Sequence, residues 1–314
     1  MILTVTANIA IDRTYVVDEL TVGAVHKVSR VFAHIGGKGV NVSRTIAALG
    51  GETEVTGLIG ESTLEEATQE LAAAGLKSAL FPVARATRQT VTVTAKDGTA
   101  TAFDEAGPQI SQQEWAGFEN HFAGLLQPAD MVVIAGSLPP GTPQQSLANL
   151  CRHANDQQVP VMLDARGAAM RAAQNQAPLV AKLNFGELEQ TLGRRLGNEG
   201  ETIEAAKQLH AEGAQNVVIT LGPDGAIGLN EHGAWRITHP TAHGNPIGAG
   251  DAFSAALAMA LTNDEPFEEA LRHGAAAALA SLRAPTAGAL DPADYRNYLP
   301  TIQAQQIAKE AAPR

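Results

Sequence analysis

Met131-Val132-Val133-Ile134-Ala135-Gly136-Ser137-Leu138-Pro139-Pro140-Gly141 decides the fold class. The run is apolar at every position before it stops at a glycine and proline turn, and a helical pattern follows it to about Ala154. A strand that is apolar on both sides is covered on both faces, which is the habit of parallel sheets with helices above and below. The same unit recurs downstream. Val159 to Leu163 ends at Asp164-Ala165-Arg166-Gly167, and Leu179 to Asn184 runs into Phe185-Gly186-Glu187. Asn216 to Thr220 ends at Leu221-Gly222-Pro223-Asp224-Gly225. Upstream, Ile2 to Thr6 and Glu54 to Gly60 read as further strands, and Ser62 to Ala74 as an amphipathic helix. The spacing predicts an α/β protein with an open, mostly parallel, doubly wound sheet and helices on both faces. Turns at the carboxyl ends of those strands share one edge, where such sheets bind ligands.

Some strands do not fit that alternation. Tyr15-Val16-Val17 and Val25-His26-Lys27-Val28 read as short strands with no helix between them. Arg88 to Thr94 alternates strictly, Asp97-Gly98 is a hairpin turn signal, and Thr99 to Phe103 returns. Together they predict a small flanking sheet, inserted at about 13–33 and 88–104 in one domain spanning 1–314. Such a sheet serves as a lid over the main sheet and, with one face uncovered, as a contact between two copies of the chain.

Two glycine-rich turns carry the chemistry. Asn245-Pro246-Ile247-Gly248-Ala249-Gly250-Asp251 leads into an Ala-rich helix. Glycines let a ligand approach the backbone, and the first N–H groups of the helix favour an anion. Asp251 has no place in a phosphate site unless it takes a proton, so the stretch points to phosphoryl transfer. A tight loop with an acidic first turn is the alternative reading. His34-Ile35-Gly36-Gly37-Lys38-Gly39-Val40-Asn41 forms the second turn. It is neither a P-loop, since Gly39 follows Lys38, nor a dinucleotide fingerprint. It offers a glycine-lined wall with Lys38 and Asn41 as contacts. Asp12, past the first strand, and Arg88, opening its own strand, are candidates for a hydroxyl and an anion.

The chain has 314 residues and a net charge of −11. That balance disfavours nucleic acid, whose binding rests on Lys and Arg, while leaving room for a small phosphorylated ligand. Cys151 stands alone, which excludes an internal disulfide framework and marks it as a buried filler. The N-terminus lacks the pattern of a signal peptide, and no apolar stretch is long enough for a bilayer. The expectation is a cytoplasmic protein with no membrane or nucleic-acid partner.

Taken in order, Asp12, Gly36-Gly37-Lys38-Gly39 with Asn41, Arg88, Gly136-Ser137-Leu138-Pro139, Asn184-x-x-Glu187 and Gly248-Ala249-Gly250-Asp251 span nearly the whole chain. The combination resembles the ribokinase-like (PfkB) carbohydrate kinases, in the branch holding 1-phosphofructokinase, tagatose-6-phosphate kinase and the minor 6-phosphofructokinase. The resemblance implies a ribokinase-like fold and ATP-dependent phosphorylation of a ketohexose phosphate. By resemblance Asp251 is the catalytic base, and Gly248, Ala249 and Gly250 form the anion hole. Lys182, Asn184, Thr220, Gly222 and Gly225 fall on the ATP side, and Asn184 with Glu187 on Mg²⁺, through water. Asp12, Lys27, Gly37, Lys38, Asn41, Arg88 and Ser137 fall on the substrate side. A homodimer through the lid is implied as well. Arg166 departs from the pattern, standing where Ser is common, as do Leu183 and Ala7-Asn8-Ile9-Ala10. The runner-up is a kinase of an unphosphorylated sugar or nucleoside on the same fold, ahead of a non-catalytic sensor and a dinucleotide oxidoreductase.

Overall fold

The computed structural model describes residues 1–28 and 30–308. In chain order the first half contains β1 (Ile2–Thr6), β2 (Ala10–Val16), β3 (Arg30–Gly36), α1 (Lys38–Ala48), β4 (Thr53–Gly60), α2 (Leu64–Ala73), β5 (Lys77–Val83), β6 (Arg88–Thr94), β7 (Ala100–Asp104), α3 (Gln112–Gly124) and β8 (Met131–Ala135). The second half contains α4 (Ser146–Asp156), β9 (Val161–Asp164), α5 (Gly167–Gln174), β10 (Val180–Asn184), α6 (Phe185–Leu192), α7 (Glu199–Ala211), β11 (Asn216–Thr220), β12 (Ala226–Asn230), β13 (Gly233–Thr238), α8 (Ala249–Thr262), α9 (Phe267–Ser281), α10 (Pro292–Tyr298) and β14 (Gln303–Ala308). Ten strands form one sheet in the order β14-β13-β12-β11-β10-β9-β8-β1-β4-β5. Pairing is parallel from β11 across to β5 and antiparallel for β12, β13 and β14.

Two apolar clusters, one on each face of this sheet, explain the double winding. Trp115, Phe118, Phe122, Leu150 and Leu188 pack with Leu3, Val132 and Leu183 on one side. Val42, Ile46, Phe253, Leu257 and Leu271 pack with Ile2, Val133 and Val218 on the other. Strand residues alternate between the clusters, as the period of two demands. Burial of these side chains is the main stabilising term, at roughly 1.5–3 kcal/mol each.

The start of α1 is locked to the end of β1. Gly37 has φ +114°, which favours glycine, and the Val40 N–H donates to Thr6 Oγ1 at 3.0 Å. A side chain at Gly39 would meet the Val5 carbonyl oxygen at 2.8 Å, so α1 lies directly against β1. Lys38 and Asn41 are thereby fixed over the carboxyl edge of the sheet.

The second sheet has the order β3-β2-β6-β7, with β2 and β6 parallel and the outer pairs antiparallel. Its position matches the expected lid, but its strands differ. The segment Val25–Val28 is not a strand: both edges of β2 are taken, by Arg30–Gly36 and by β6, so the preceding segment has nothing to pair with. Val22 and Val25 are almost fully exposed there. Asp12 lies within β2 rather than in a turn after β1. β5, which contains Pro82, sits at the sheet edge, where a missing N–H is tolerated. Among the described residues no helix is long and apolar enough to cross a membrane.

Candidate active site

The carboxyl ends of β10 and β11, the N-termini of α1 and α8 and the inner face of the lid enclose a cleft of about 340 Å³. Asp12, Gly37, Lys38, Asn41, Arg88, Lys182, Asn184, Glu187, Thr220, Gly248, Gly250 and Asp251 all line it. These residues are far apart in the chain, and the strand ends bring them together. Ser137 lines a smaller pocket of about 170 Å³ that shares Lys38, Arg88 and Glu187 with the cleft.

At the floor, Gly248 has φ +86°, and a side chain there would press on Ala287 at 2.7 Å. This residue turns the chain into α8. The first-turn N–H groups are not equivalent. Ala249 donates to the Pro246 carbonyl at 3.2 Å, and Asp251 and Ala252 donate to the Gly248 carbonyl. Among the described residues the Gly250 N–H has no backbone acceptor, so Gly250 and not Ala249 offers a free donor at this turn. A side chain at Gly250 would come within 3.5 Å of Lys182 Nζ and meet nothing else. Gly250 and the Lys182 ammonium therefore face each other across a gap that one methyl group would fill.

Asp251 is 6 % exposed and accepts a hydrogen bond from Asn41 Nδ2 at 2.8 Å. Burial pushes its carboxyl up to about 6; Lys38 works against the rise, and the negative Asp164 adds to it. A carboxylate poised near neutral pH and reached from the cleft is equipped to accept a proton.

Asp164 is the hub of the site, and the sequence reading assigned it no role. It is fully buried at the end of β9. Its Oδ1 takes Lys38 Nζ at 2.9 Å, and its Oδ2 takes Lys182 Nζ at 2.6 Å and the Ser254 hydroxyl at 2.9 Å. Burial alone would raise this carboxyl, but Lys182 and Lys38 outweigh it and hold the group ionised, well below the usual carboxylate range. Lys38 also reaches Glu187 Oε1 at 3.0 Å. Against the cost of burial, Asp164, Glu187 and Asp251 keep its ammonium charged well above the usual lysine range. Lys38 is thus bound to two carboxylates instead of standing free for a substrate phosphate.

Residues 3–294 match the pfkB family of carbohydrate kinases. The chain belongs to that family. A Thermotoga maritima structure described as a possible 1-phosphofructokinase superposes with a TM-score of 0.90 at 25% identity, covering 98% of this chain and 99% of that one. Phosphofructokinase-2 from Escherichia coli in complex with potassium gives 0.89 at 27% identity, covering 95% and 98%. Arabidopsis thaliana ribokinase with ribose and ATP gives 0.71 at 20% identity and 95% and 98% coverage, a likeness of fold alone.

At the end of β10, Asn184 caps α6 reciprocally with Glu187. The Glu187 N–H donates to Asn184 Oδ1 at 2.8 Å, and the Asn184 N–H donates to Glu187 Oε2 at 2.9 Å. Both Glu187 oxygens already accept a donor, and no cluster of three His, Cys, Asp or Glu that could hold a metal occurs among the described residues. The donor set fits a hydrated Mg²⁺ held through water and does not offer a direct cage. Gly222 is exposed with φ +61° and does not line the cleft. Gly225 is buried with φ +89° in the turn between β11 and β12, where a side chain would strike the Ile237 carbonyl oxygen of β13 at 2.1 Å.

On the lid side, Asp12 Oδ1 accepts from the Thr90 hydroxyl at 2.6 Å, and Gly36 leaves room for the Asp12 carboxylate, which a Cβ would otherwise meet at 1.9 Å. Arg88 donates from Nε to the Asn8 carbonyl and from Nη1 to the Glu105 carbonyl. Burial lowers its basicity below the ordinary guanidinium value, opposed by Asp12, Asp104 and Glu105. Lys27 is exposed in the connector before β3 and lines neither the cleft nor the side pocket. A larger hollow of about 800 Å³ lies behind β3, but its arginine, Arg44, is already bonded to Glu70 and to the Ile35 carbonyl. Cys151 is buried, and burial pushes its thiol up to about 12, which leaves it inert. Asp164, Asn8 and Thr90 are among the cleft or pocket residues to which sequence reasoning gave no role. Asp164 carried the same signal as Asp12, a carboxylate at a strand end, and that signal alone does not distinguish it.

Proposed function

We propose that the chain transfers the γ-phosphoryl group of ATP to a hydroxyl of a ketohexose phosphate, with Asp251 as general base. The observation that carries this reading is the buried Asp251 carboxyl, raised to about 6 beside the free Gly250 N–H and the Lys182 ammonium. Asp251 takes the hydroxyl proton as the oxygen attacks the γ-phosphorus; a new O–P bond forms, and the bond from that phosphorus to the bridging oxygen of ADP breaks. The Gly250 N–H and the Lys182 ammonium hold the charge on the moving group. Asn41 orients the base through Oδ2. Asp12 and Asn41 orient the sugar hydroxyls, and Arg88 takes the phosphate that the substrate already carries. Lys38 ties Asp164 to Glu187 and keeps the carboxylates of the two halves of the site in place. Mg²⁺, held through water by Asn184 and Glu187, supplies neutralisation of the triphosphate charge when bound.

The phosphosugar class draws support from Escherichia coli phosphofructokinase-2, whose structure was described in complex with fructose-6-phosphate and is 27% identical over 95% of this chain. A second reading, an unphosphorylated sugar or nucleoside, is favoured by two observations: Lys38 gives two of its three donors to carboxylates, and Lys27 lies outside the cleft. We also propose a cytoplasmic homodimer in which the lid sheets meet. Val31 and Phe103 are more than half exposed on the lid strands, and Val22 and Val25 are exposed on the connector between β2 and β3.

The deciding experiment is ADP release over fructose 1-phosphate, fructose 6-phosphate, tagatose 6-phosphate, fructose and ribose. The reading expects kcat/KM for at least one phosphosugar to exceed every unphosphorylated sugar by 100-fold or more, on the order of what a pair of charge-assisted bonds supplies. Equal or better use of fructose or ribose overturns it.

A further inference from the structure

The pocket beside the cleft contains a residue that neither the motifs nor the proposed chemistry uses. Arg166 lines it together with Arg88, Lys38 and Ser137. Among the described residues Arg166 has no hydrogen-bond or ion-pair partner, and it is exposed. It is the N-cap of α5, and its side chain makes no cap bond. A cation at that position is disfavoured by the helix dipole, and Ser, Thr, Asp or Asn would stabilise the helix better. Arg166 therefore gives α5 nothing, while it adds a positive charge to the wall of a small polar pocket.

The other charges of the pocket are already balanced. Asp164 is matched by Lys38 and Lys182, and Glu187 by Lys38. Asp104 remains, opposite the Arg88 guanidinium, which gives two of its donors to the carbonyls of Asn8 and Glu105. Asp12 and Glu105 also face Arg88, so Arg88 alone leaves the acidic groups of this wall in excess, and Arg166 adds the positive charge of a side chain that no protein group engages among the described residues. Its volume of about 170 Å³ accepts a tetrahedral anion with a few waters, at about 30 Å³ each, and is too small for a nucleoside. Asn8, 3 % exposed, donates from Nδ2 to the Ala106 carbonyl at 3.0 Å and to Ser137 Oγ at 3.2 Å, which fixes the Ser137 hydroxyl on the pocket wall.

We infer that Arg166 is a specificity-determining residue that grips the phosphate of the phosphosugar substrate in this side pocket, together with Arg88. The guanidinium supplies forked donors to phosphate oxygens, which a serine at the same position does not. It supplies the second free cation that Lys38 and Lys27 do not provide. This role rests on the phosphosugar reading above.

The test is steady-state kinetics of the wild type, Arg166→Ala and Arg166→Lys, with the phosphosugars and fructose as acceptors and with ATP varied separately. Arg166→Ala is expected to raise KM for the phosphosugar about 10- to 100-fold, the scale of a lost charge-assisted hydrogen bond. KM for ATP and KM for fructose stay within about twofold. Arg166→Lys recovers part of the loss, because it restores charge without the fork. Thermal unfolding of both variants matches the wild type, since the side chain holds nothing in the fold. An unchanged phosphosugar KM in Arg166→Ala overturns the role while leaving the phosphosugar reading intact. A rise in KM for ATP instead assigns Arg166 to the nucleotide and overturns it as well. If the wild type uses no phosphosugar at all, the reading and the role fall together.

Discussion

The two walls of the cleft differ in how they hold charge. On the main sheet, Asp164, Lys182 and Asp251 are nearly or fully buried, and Asp164 alone satisfies two ammonium groups and a hydroxyl. On the lid, Asp12 and Arg88 are half-buried, and their bonds go to one hydroxyl and to backbone carbonyls. The outer face of the lid carries exposed Val31 and Phe103. Charges buried in pairs are rigid and costly to separate, while half-solvated ones are adjustable. Under the proposed function, the rigid main-sheet wall fixes the chemistry and the adjustable lid wall chooses what enters.

The contrast breaks most visibly at Asp164. Asp164→Ala strands the buried Lys182 ammonium and is expected to cost about 3–5 kcal/mol in urea unfolding, with loss of most turnover. Asp12→Ala on the lid should cost no more than about 1 kcal/mol while raising KM for the sugar. Equal costs for the two would erase the distinction. Next in size is the pair of glycines in the floor turn. Gly250→Ala meets no atom closer than 3.5 Å, so the protein folds, and stability holds or rises by up to about 1 kcal/mol. Its methyl group fills the gap between Gly250 and Lys182, and kcat should fall about 10²–10³-fold. Gly248→Ala should instead lower the melting temperature, because φ is +86° and Ala287 stands 2.7 Å away. Swapped outcomes would move the anion site away from Gly250.

On the lid side, Arg88→Ala should raise the phosphosugar KM about 10- to 100-fold with a smaller change in kcat. A fall in kcat alone would place Arg88 in the chemistry and blur the two walls. The smallest effect is Phe103→Glu, which should leave unfolding free energy within about 0.5 kcal/mol while shifting sedimentation from dimer to monomer. A dimer that survives the change removes the lid from the interface.

The same contrast explains what the sequence disclosed. Strands of the main sheet are apolar throughout, such as Met131–Ala135, and their ends are marked by glycines, so the α/β frame was legible. Lid strands are set by their partners: 25–28 alternates like a strand but has no free edge to join, whereas Arg30–Gly36 pairs along the whole of β2. β5, α5, α7 and β14 were missed, being short, at an edge, or masked by polar composition. The turn at 245–251 was legible because its glycines and Asp251 are local. The role of Asp164 was not, since it depends on Lys38, 126 positions away, and on the neighbouring β10. For the same reason Lys38 read as a free cation, although the fold binds it to two carboxylates.

The central claim is that Asp251 is a base held against its preferred ionisation by burial. The most direct measurement compares wild type and Asp251→Asn in turnover, nucleotide binding and thermal stability from pH 4 to 9. The wild-type kcat/KM should rise with pH through about 6 and level off, because only the ionised carboxyl accepts a proton. Asp251→Asn should lose on the order of 10²–10⁴-fold in kcat while still binding ATP. A carboxyl whose folded pKa is raised costs nothing below its unfolded value and the full penalty above its folded value. Asp251→Asn should therefore match the wild type near pH 4 and exceed its stability by about 2–3 kcal/mol at pH 8. A variant that keeps most of its kcat, or gains no stability at pH 8, would contradict the account.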